Sequence, residues 1–121
     1  MSGDTLADWP CPCCGYLVFS EPPGNYEICP VCGWEDDLSQ LRFPREGGGA
    51  NGFSLMEAQS AFASHEHANL GEPPHEVGYR REPRWRPLDP TRDAIERSVP
   101  GTNYGSTYAT DPATYYYWRR R

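Results

Sequence analysis

The chain contains no lysine: all eleven of its basic residues are arginine. Such a bias accompanies a GC-rich genome and points to a bacterium or its phage. Long apolar runs are missing as well. No stretch approaches the ~20 residues of a membrane-spanning helix. The opening residues Met1 to Asp8 lack the basic region and apolar run of a secretory signal. The expected setting is therefore cytoplasmic and reducing, where clustered thiols bind metal more often than they pair as disulfides. Core-forming residues are scarce, since 37% of the 121 residues are hydrophobic while proline (13) and glycine (12) are plentiful. A chain of this size can bury roughly two-thirds of its unfolded surface, but this composition does not fill that allowance easily. We expect one domain over residues 1–121, with a small core, many loops and a staple. Catalytic sets are lacking too. No Ser/His/Asp or Cys/His arrangement can be argued, and the run Gly47–Gly52 has no lysine to act as a phosphate loop, so an enzyme is not expected.

Cysteine is what the chain does have. Five are present, an odd number that cannot pair completely within one chain. Four of them fall in two copies of Cys-Pro-x-Cys-Gly, at Cys11–Gly15 and Cys29–Gly33. Two residues between cysteines let both thiolates reach one ion at about 2.3 Å. Proline after the first cysteine fixes φ, and glycine after the second accepts positive φ. Backbone N–H groups can then turn toward the sulfurs. We expect Cys11, Cys14, Cys29 and Cys32 to hold one metal ion per chain. Zinc is the first expectation. Iron is the alternative, because Ile28–Gly33 also resembles a rubredoxin knuckle. The loop between the knuckles is short for that class, and no shielding cluster of aromatics is evident in the sequence. Disulfides, or a redox dithiol at one pair, are the remaining readings. Cys13 is spare: either a small residue in a tight turn, or a thiol of lowered pKa open to oxidation or ligand exchange.

Around the cysteines the expected fold is α+β: a zinc-ribbon-like β-hairpin, one packed helix and a long irregular C-terminal region. The metal module is placed at residues 10–43. Its strands are expected at Gly15–Phe19 and Tyr26–Ile28, joined by a Pro22–Asn25 turn into one hairpin with a knuckle at each open end. The helix is expected over about 55–68, within a segment 53–69. Ser54 and Glu57 form a capping box, Phe53 and Ala58 a hydrophobic staple, and Leu55, Ala58 and Phe62 recur at helical spacing. Asn69 and Gly71 supply its stop. Residues 72–121 are rich in Pro, Arg and Tyr, with Asp93–Arg97 as a helical turn or two.

Three segments carry a family resemblance: Cys11–Tyr16, Tyr26–Asp37 and Gly49–Ala58. Together they resemble the bacterial CPCC family of cysteine-rich proteins, over about residues 10–64. The resemblance implies the cysteine motif itself and a small metal-binding module. Some members of that family are similar to immunity proteins of bacterial toxin systems in size and genetic setting.

Net charge is −6, unevenly spread. Residues 1–60 carry nine acids and two arginines, a balance of −7, whereas residues 61–121 carry eight acids and nine arginines, a balance of +1. The acidic half suits a basic partner rather than nucleic acid. The leading expectation is a protein-binding module of immunity or antitoxin type, neutralising a basic toxin domain. It would use Glu35, Asp36 and Asp37 as an ionic patch, or these are merely a solvated loop. Tyr116 and Trp118 would serve as aromatic anchors. The alternatives are a nucleic-acid-binding zinc ribbon using Arg80, Arg81, Arg84, Trp85 and Arg86, and an iron redox carrier. Internal pairing of those arginines with the acidic half competes with the nucleic-acid reading. His65 and His67 lie two apart, which on a helix points them away from each other, so a second metal site there is not expected.

Overall fold

The computed structural model describes residues 9–68 and 79–119. The first element pair is short. Strand β1 (Trp9–Pro10) runs antiparallel to β2 (Leu17–Phe19), with an irregular register between Trp9 and Pro10. The chain turns between them through the first cysteine knuckle. The strand expected at Tyr26–Ile28 does not pair with β2. It pairs instead with the segment just after the second knuckle, through the bridge Ile28↔Glu35 and reciprocal Tyr26–Asp36 and Asp36–Glu27 backbone bonds. Each knuckle thus has its own small hairpin, in place of one hairpin shared by both. The reason lies in the connection. Pro22 and Pro23 offer no N–H to a ladder. Gly24 and Tyr26 both take positive φ, 97° and 59°. The Glu27 carboxylate gathers the N–H groups of Ser20 and Glu21 at 3.2–3.3 Å, which bends the segment back on itself.

Helix α1 (Leu38–Arg42) was not foreseen. Its N-cap is Asp37, whose Oδ1 accepts from the N–H of Ser39 and of Gln40 at 2.8 and 3.2 Å. Helix α2 spans Leu55–Ala68, as the spacing predicts. Ser54 and Glu57 cap it reciprocally: Ser54 N–H donates to Glu57 Oε1 at 2.9 Å, and Glu57 N–H donates to Ser54 Oγ at 3.2 Å. The staple does not form, because Phe53 remains 65% exposed. Leu55 is fully buried, and Ala58 and Phe62 pack against the core one and two turns on. The expected stop at Asn69 and Gly71 lies outside the described residues.

The C-terminal region is irregular up to two 3-10 helices, Pro112–Tyr115 and Tyr117–Arg119. The turn expected at Asp93–Arg97 occurs earlier. Asp89 starts it, its carbonyl accepting from the N–H of Arg92 and Asp93 and its carboxylate from Thr91. This region threads back onto the N-terminal module. Arg80 O accepts from Leu17 N–H at 2.8 Å, and Gly15 O accepts from Glu82 N–H at 2.7 Å. Farther along, the chain builds a cage around Arg42. Its guanidinium lies 4.6 Å from the Tyr108 ring centre and 5.1 Å from that of Tyr104, and it pairs with Glu96 at 3.0 Å. The last aromatics close the core. Tyr116, Tyr117 and Trp118 are buried with Phe19, Leu41, Leu55 and the cysteines.

Candidate metal centre

The two knuckles repeat one backbone pattern. In the first, Gly15 N–H donates to Cys11 O at 2.7 Å and Cys11 N–H donates to Tyr16 O at 2.9 Å. In the second, Gly33 N–H donates to Cys29 O and Cys29 N–H to Trp34 O, both at 2.9 Å. The glycines carry φ of 82° and 84°, the left-handed turn that lets each loop fold under its second cysteine. Val31 N–H points at Cys29 Sγ, 3.3 Å away, as expected for amides that temper thiolate charge.

These turns bring four sulfurs together. The Sγ atoms of Cys11, Cys14, Cys29 and Cys32 all lie within 4.8 Å of one another. Cys11 and Cys32 are 3.6 Å apart, and Cys14 and Cys29 are 3.7 Å apart. An ion at about 2.3 Å from four sulfurs sets tetrahedral edges of about 3.8 Å, so the cluster fits a metal. It does not fit disulfides, whose sulfurs stand about 2 Å apart, and all five cysteines are free. Cys11, Cys14 and Cys29 are buried, whereas Cys32 is half-buried. Burial pushes the Cys11 thiol well above its usual range, while hydrogen bonds from Cys11 draw Cys29 and Cys32 down. Thiols this close and this buried cannot all lose their protons unless a cation sits among them. Four soft sulfurs suit zinc or iron.

The surroundings hold the first knuckle from outside. Trp85 lies across Gly15, and its indole N–H donates to Pro12 O at 3.0 Å. Arg81 Nε donates to Cys14 O at 2.9 Å, with its guanidinium over the rings of Tyr16 and Trp85. Gln59 of α2 donates to Pro12 O and to the Tyr117 hydroxyl, both at 2.9 Å, and accepts from Leu88 N–H at 2.9 Å. Tyr16 and Trp34, the aromatics after each knuckle glycine, are both buried. The repeated Cys-Pro-x-Cys-Gly-aromatic pattern carries that signal in the sequence. The expectation that no aromatics surround the cysteines fails, since Tyr16, Phe19, Trp34, Tyr116 and Trp118 share their core.

Cys13 is buried beside the cluster. Its contact with Cys32, together with burial, pushes its thiol up rather than down. Cys13 lies in the turn of the first knuckle, where its small size fits.

The expected partner residues fall mostly inside the fold. Asp36 is buried, and its Oδ2 accepts from the N–H of Gly24 and Asn25 at 3.1 and 3.3 Å. Asp37 is buried too: beyond capping α1 it accepts from Ala50 N–H at 2.9 Å. These two carboxylates order loops and are neither an ionic hot spot nor a solvated run. Glu35 alone of the three is half-exposed. Tyr116 stacks on Trp118 at 4.6 Å and both are sealed in the core, so neither is a surface anchor. Among the arginines, Arg86 pairs with Asp93 at 2.6 Å and Arg119 with Glu82 at 3.0 Å, both within the C-terminal half rather than across to the acidic half. The side chains of His65 and His67 lie outside the described residues.

A closed four-sulfur centre built from paired knuckles defines a cysteine-rich metal-binding module. The family model for cysteine-rich CPCC proteins matches residues 9–74, more than half of the sequence, and the chain belongs to that family. The match runs past the recognisable motifs to include the whole of α2. No curated protein matches the chain. Among the described residues, no helix is long and apolar enough to cross a membrane.

Proposed function

We propose that the protein is a zinc-binding module whose work is to bind another protein in the bacterial cytoplasm, with no reaction of its own. The observation that carries the proposal is the division of the second knuckle. Its buried side completes the four-sulfur site. Its outer side leaves Tyr26 and Ile28, two residues apart, 61% and 65% exposed. Large apolar side chains exposed two residues apart on a small acidic protein support an interaction surface there. In this reading the metal is structural: four protein sulfurs leave no open position for substrate. An immunity or antitoxin role, with the acidic half turned to a basic toxin domain, is the form of binding we favour. Co-expression with each neighbouring gene product tests it. A stable complex and relief of that product's toxicity are expected. No complex with any of them overturns the reading.

Zinc is favoured over iron because a closed set of four cysteines from paired knuckles is the usual ligand set of a structural zinc site. The aromatic core around the cysteines is the observation that keeps iron as the second reading, with a redox carrier as its consequence. Elemental analysis of the protein from metal-replete cells decides between them. One zinc per chain and no visible absorption are expected, and a red, iron-loaded protein overturns zinc. The arginine stretch favours nucleic acid poorly, because Arg81 and Arg86 hold the knuckle and the Asp89–Asp93 turn.

A further inference from the structure

Cys13 is the one cysteine that the four-sulfur site does not use. It is buried, and its thiol lies against that of Cys32 from the opposite knuckle. The turn that carries it is held on both sides. Pro12 O accepts from the Trp85 indole at 3.0 Å and from the Gln59 amide at 2.9 Å, and Cys14 O accepts from Arg81 Nε–H at 2.9 Å. These bonds keep Cys13 beside Cys32. Cys32 is in turn the half-buried ligand, whereas Cys11, Cys14 and Cys29 are buried. A cleft of about 580 Å³ reaches the pair, with Cys13, Val31, Cys32 and Trp34 in its wall. Molecules little larger than water fit such a space.

We infer that Cys13 and Cys32 are a modification site, joined as a disulfide by hydrogen peroxide, and that this bond opens the metal centre. Cys32 is the ligand sulfur that a small oxidant in the cleft meets first, and thiolates are the nucleophilic form of cysteine. Its sulfur attacks one peroxide oxygen. The O–O bond breaks, hydroxide leaves and Cys32 becomes a sulfenic acid. The Cys13 sulfur then attacks the Cys32 sulfur. The S–O bond breaks, and the displaced hydroxide leaves as water with the Cys13 proton. Two electrons have passed from the two sulfurs to the peroxide. Cys11 Sγ also stands near Cys32 Sγ, at 3.6 Å. It is itself a ligand, however, as are Cys14 and Cys29, so among the five cysteines only Cys13 has a sulfur not committed to the ion. The site keeps three of its four thiolates and loses its hold on the metal. The new bond meanwhile ties the first knuckle to the second, so the two stay together until reduction restores the site. The inference goes beyond the protein-binding reading and rests on the four-sulfur centre.

Hydrogen peroxide added to the zinc-loaded full chain tests it. A chromogenic chelator reads the released zinc, and mass spectrometry reads the disulfides. A protease that cuts after glutamate separates the knuckles at Glu21, Glu27 and Glu35, and fragmentation of the linked peptides names the sulfurs. A Cys13–Cys32 bond should appear in step with zinc release, and dithiothreitol should restore full zinc binding. Before oxidation Cys13→Ser should hold zinc as the wild type does. After peroxide it should lose the recovery, because Cys32 without a resolving thiol goes on to the sulfinic acid, which thiols do not reduce. A centre that keeps its zinc under peroxide overturns the inference. So does zinc release with a Cys11–Cys32 bond or with no bond to Cys13, and so does a Cys13→Ser chain that recovers as fully as the wild type. Where that variant fails to load, the disulfide map of the wild type decides alone. A wild-type chain that takes up no zinc before any oxidant is added overturns the four-sulfur reading, and the disulfide falls with it.

Discussion

Gly15 and Gly33 occupy the same step of two matching turns and yet have different surroundings. A Cβ at Gly15 would sit 2.5 Å from Trp85 Cδ2, whereas one at Gly33 would meet nothing within 4 Å. Gly33→Ala therefore costs only the left-handed backbone, about 1–2 kcal/mol. Gly15→Ala costs that and also unseats Trp85 from Pro12. Denaturation midpoints of the two variants should separate clearly, and Trp85→Ala should shrink the gap. Equal losses would show that Trp85 does not seat on the knuckle. Asp36 offers a pH test. Burial pushes its carboxyl up from 3.8 to about 6, against the pull of the Asn25 and Gly24 amides. The folded state then holds its proton more tightly than the unfolded chain does. The stabilisation is present in full below about pH 4 and is lost as pH rises toward 6. Relative to Asp36→Asn, the wild type should be more stable at pH 4.5 than at pH 7. Taking the difference between the two proteins removes the acid sensitivity of the thiolates, which they share. A gap that does not change with pH would place the Asp36 carboxylate in water.

At the scale of elements, Gln59 ties α2 to the first knuckle at Pro12, to the chain at Leu88 and to Tyr117. Gln59→Leu leaves Leu88 N–H without a partner and takes one of two partners from Pro12 O and from the Tyr117 hydroxyl, a loss of roughly 2–3 kcal/mol. Ser54→Ala, which removes one cap bond of the same helix, should cost only about 1 kcal/mol. Urea unfolding of both variants checks the order, and a larger loss for Ser54→Ala would refute the bridging role of Gln59. Helix α2 was legible because its signals are local: the cap, the acid three residues on and the apolar spacing. Helix α1 was hidden by its five-residue length, and the acids before it read as a charge run although Asp37 is its cap. The hairpin was misplaced for a related reason. Alternation at Tyr26–Ile28 marks a strand correctly but does not name its partner, and the positive φ at Tyr26 turns it toward Glu35 instead of β2.

For the whole molecule, the four cysteines were legible because ligand spacing is written in consecutive residues. The C-terminal third was not, because its role depends on where distant chain lies. Nothing in the order Tyr115-Tyr116-Tyr117-Trp118 says that the Tyr116 hydroxyl will reach Pro10 O at 3.5 Å or that Trp118 will lie beneath the knuckles. Aromatics buried by a thin core and aromatics offered to a partner look alike in sequence. The same architecture makes the metal and the fold a single cooperative unit. Stripping the ion with a strong chelator should abolish the helical circular dichroism of α2 and the near-ultraviolet signal of the buried tryptophans together, with a common midpoint. A helical signal that outlasts the ion would show that the knuckles are an appendage and the staple lies elsewhere.

The two knuckles also differ in what lies behind them. Trp85 roofs the first, while the second borders open space through Cys32. An ion held between them would be nearest to solvent at Cys32, the half-buried ligand, so a chelator would have its closest approach there.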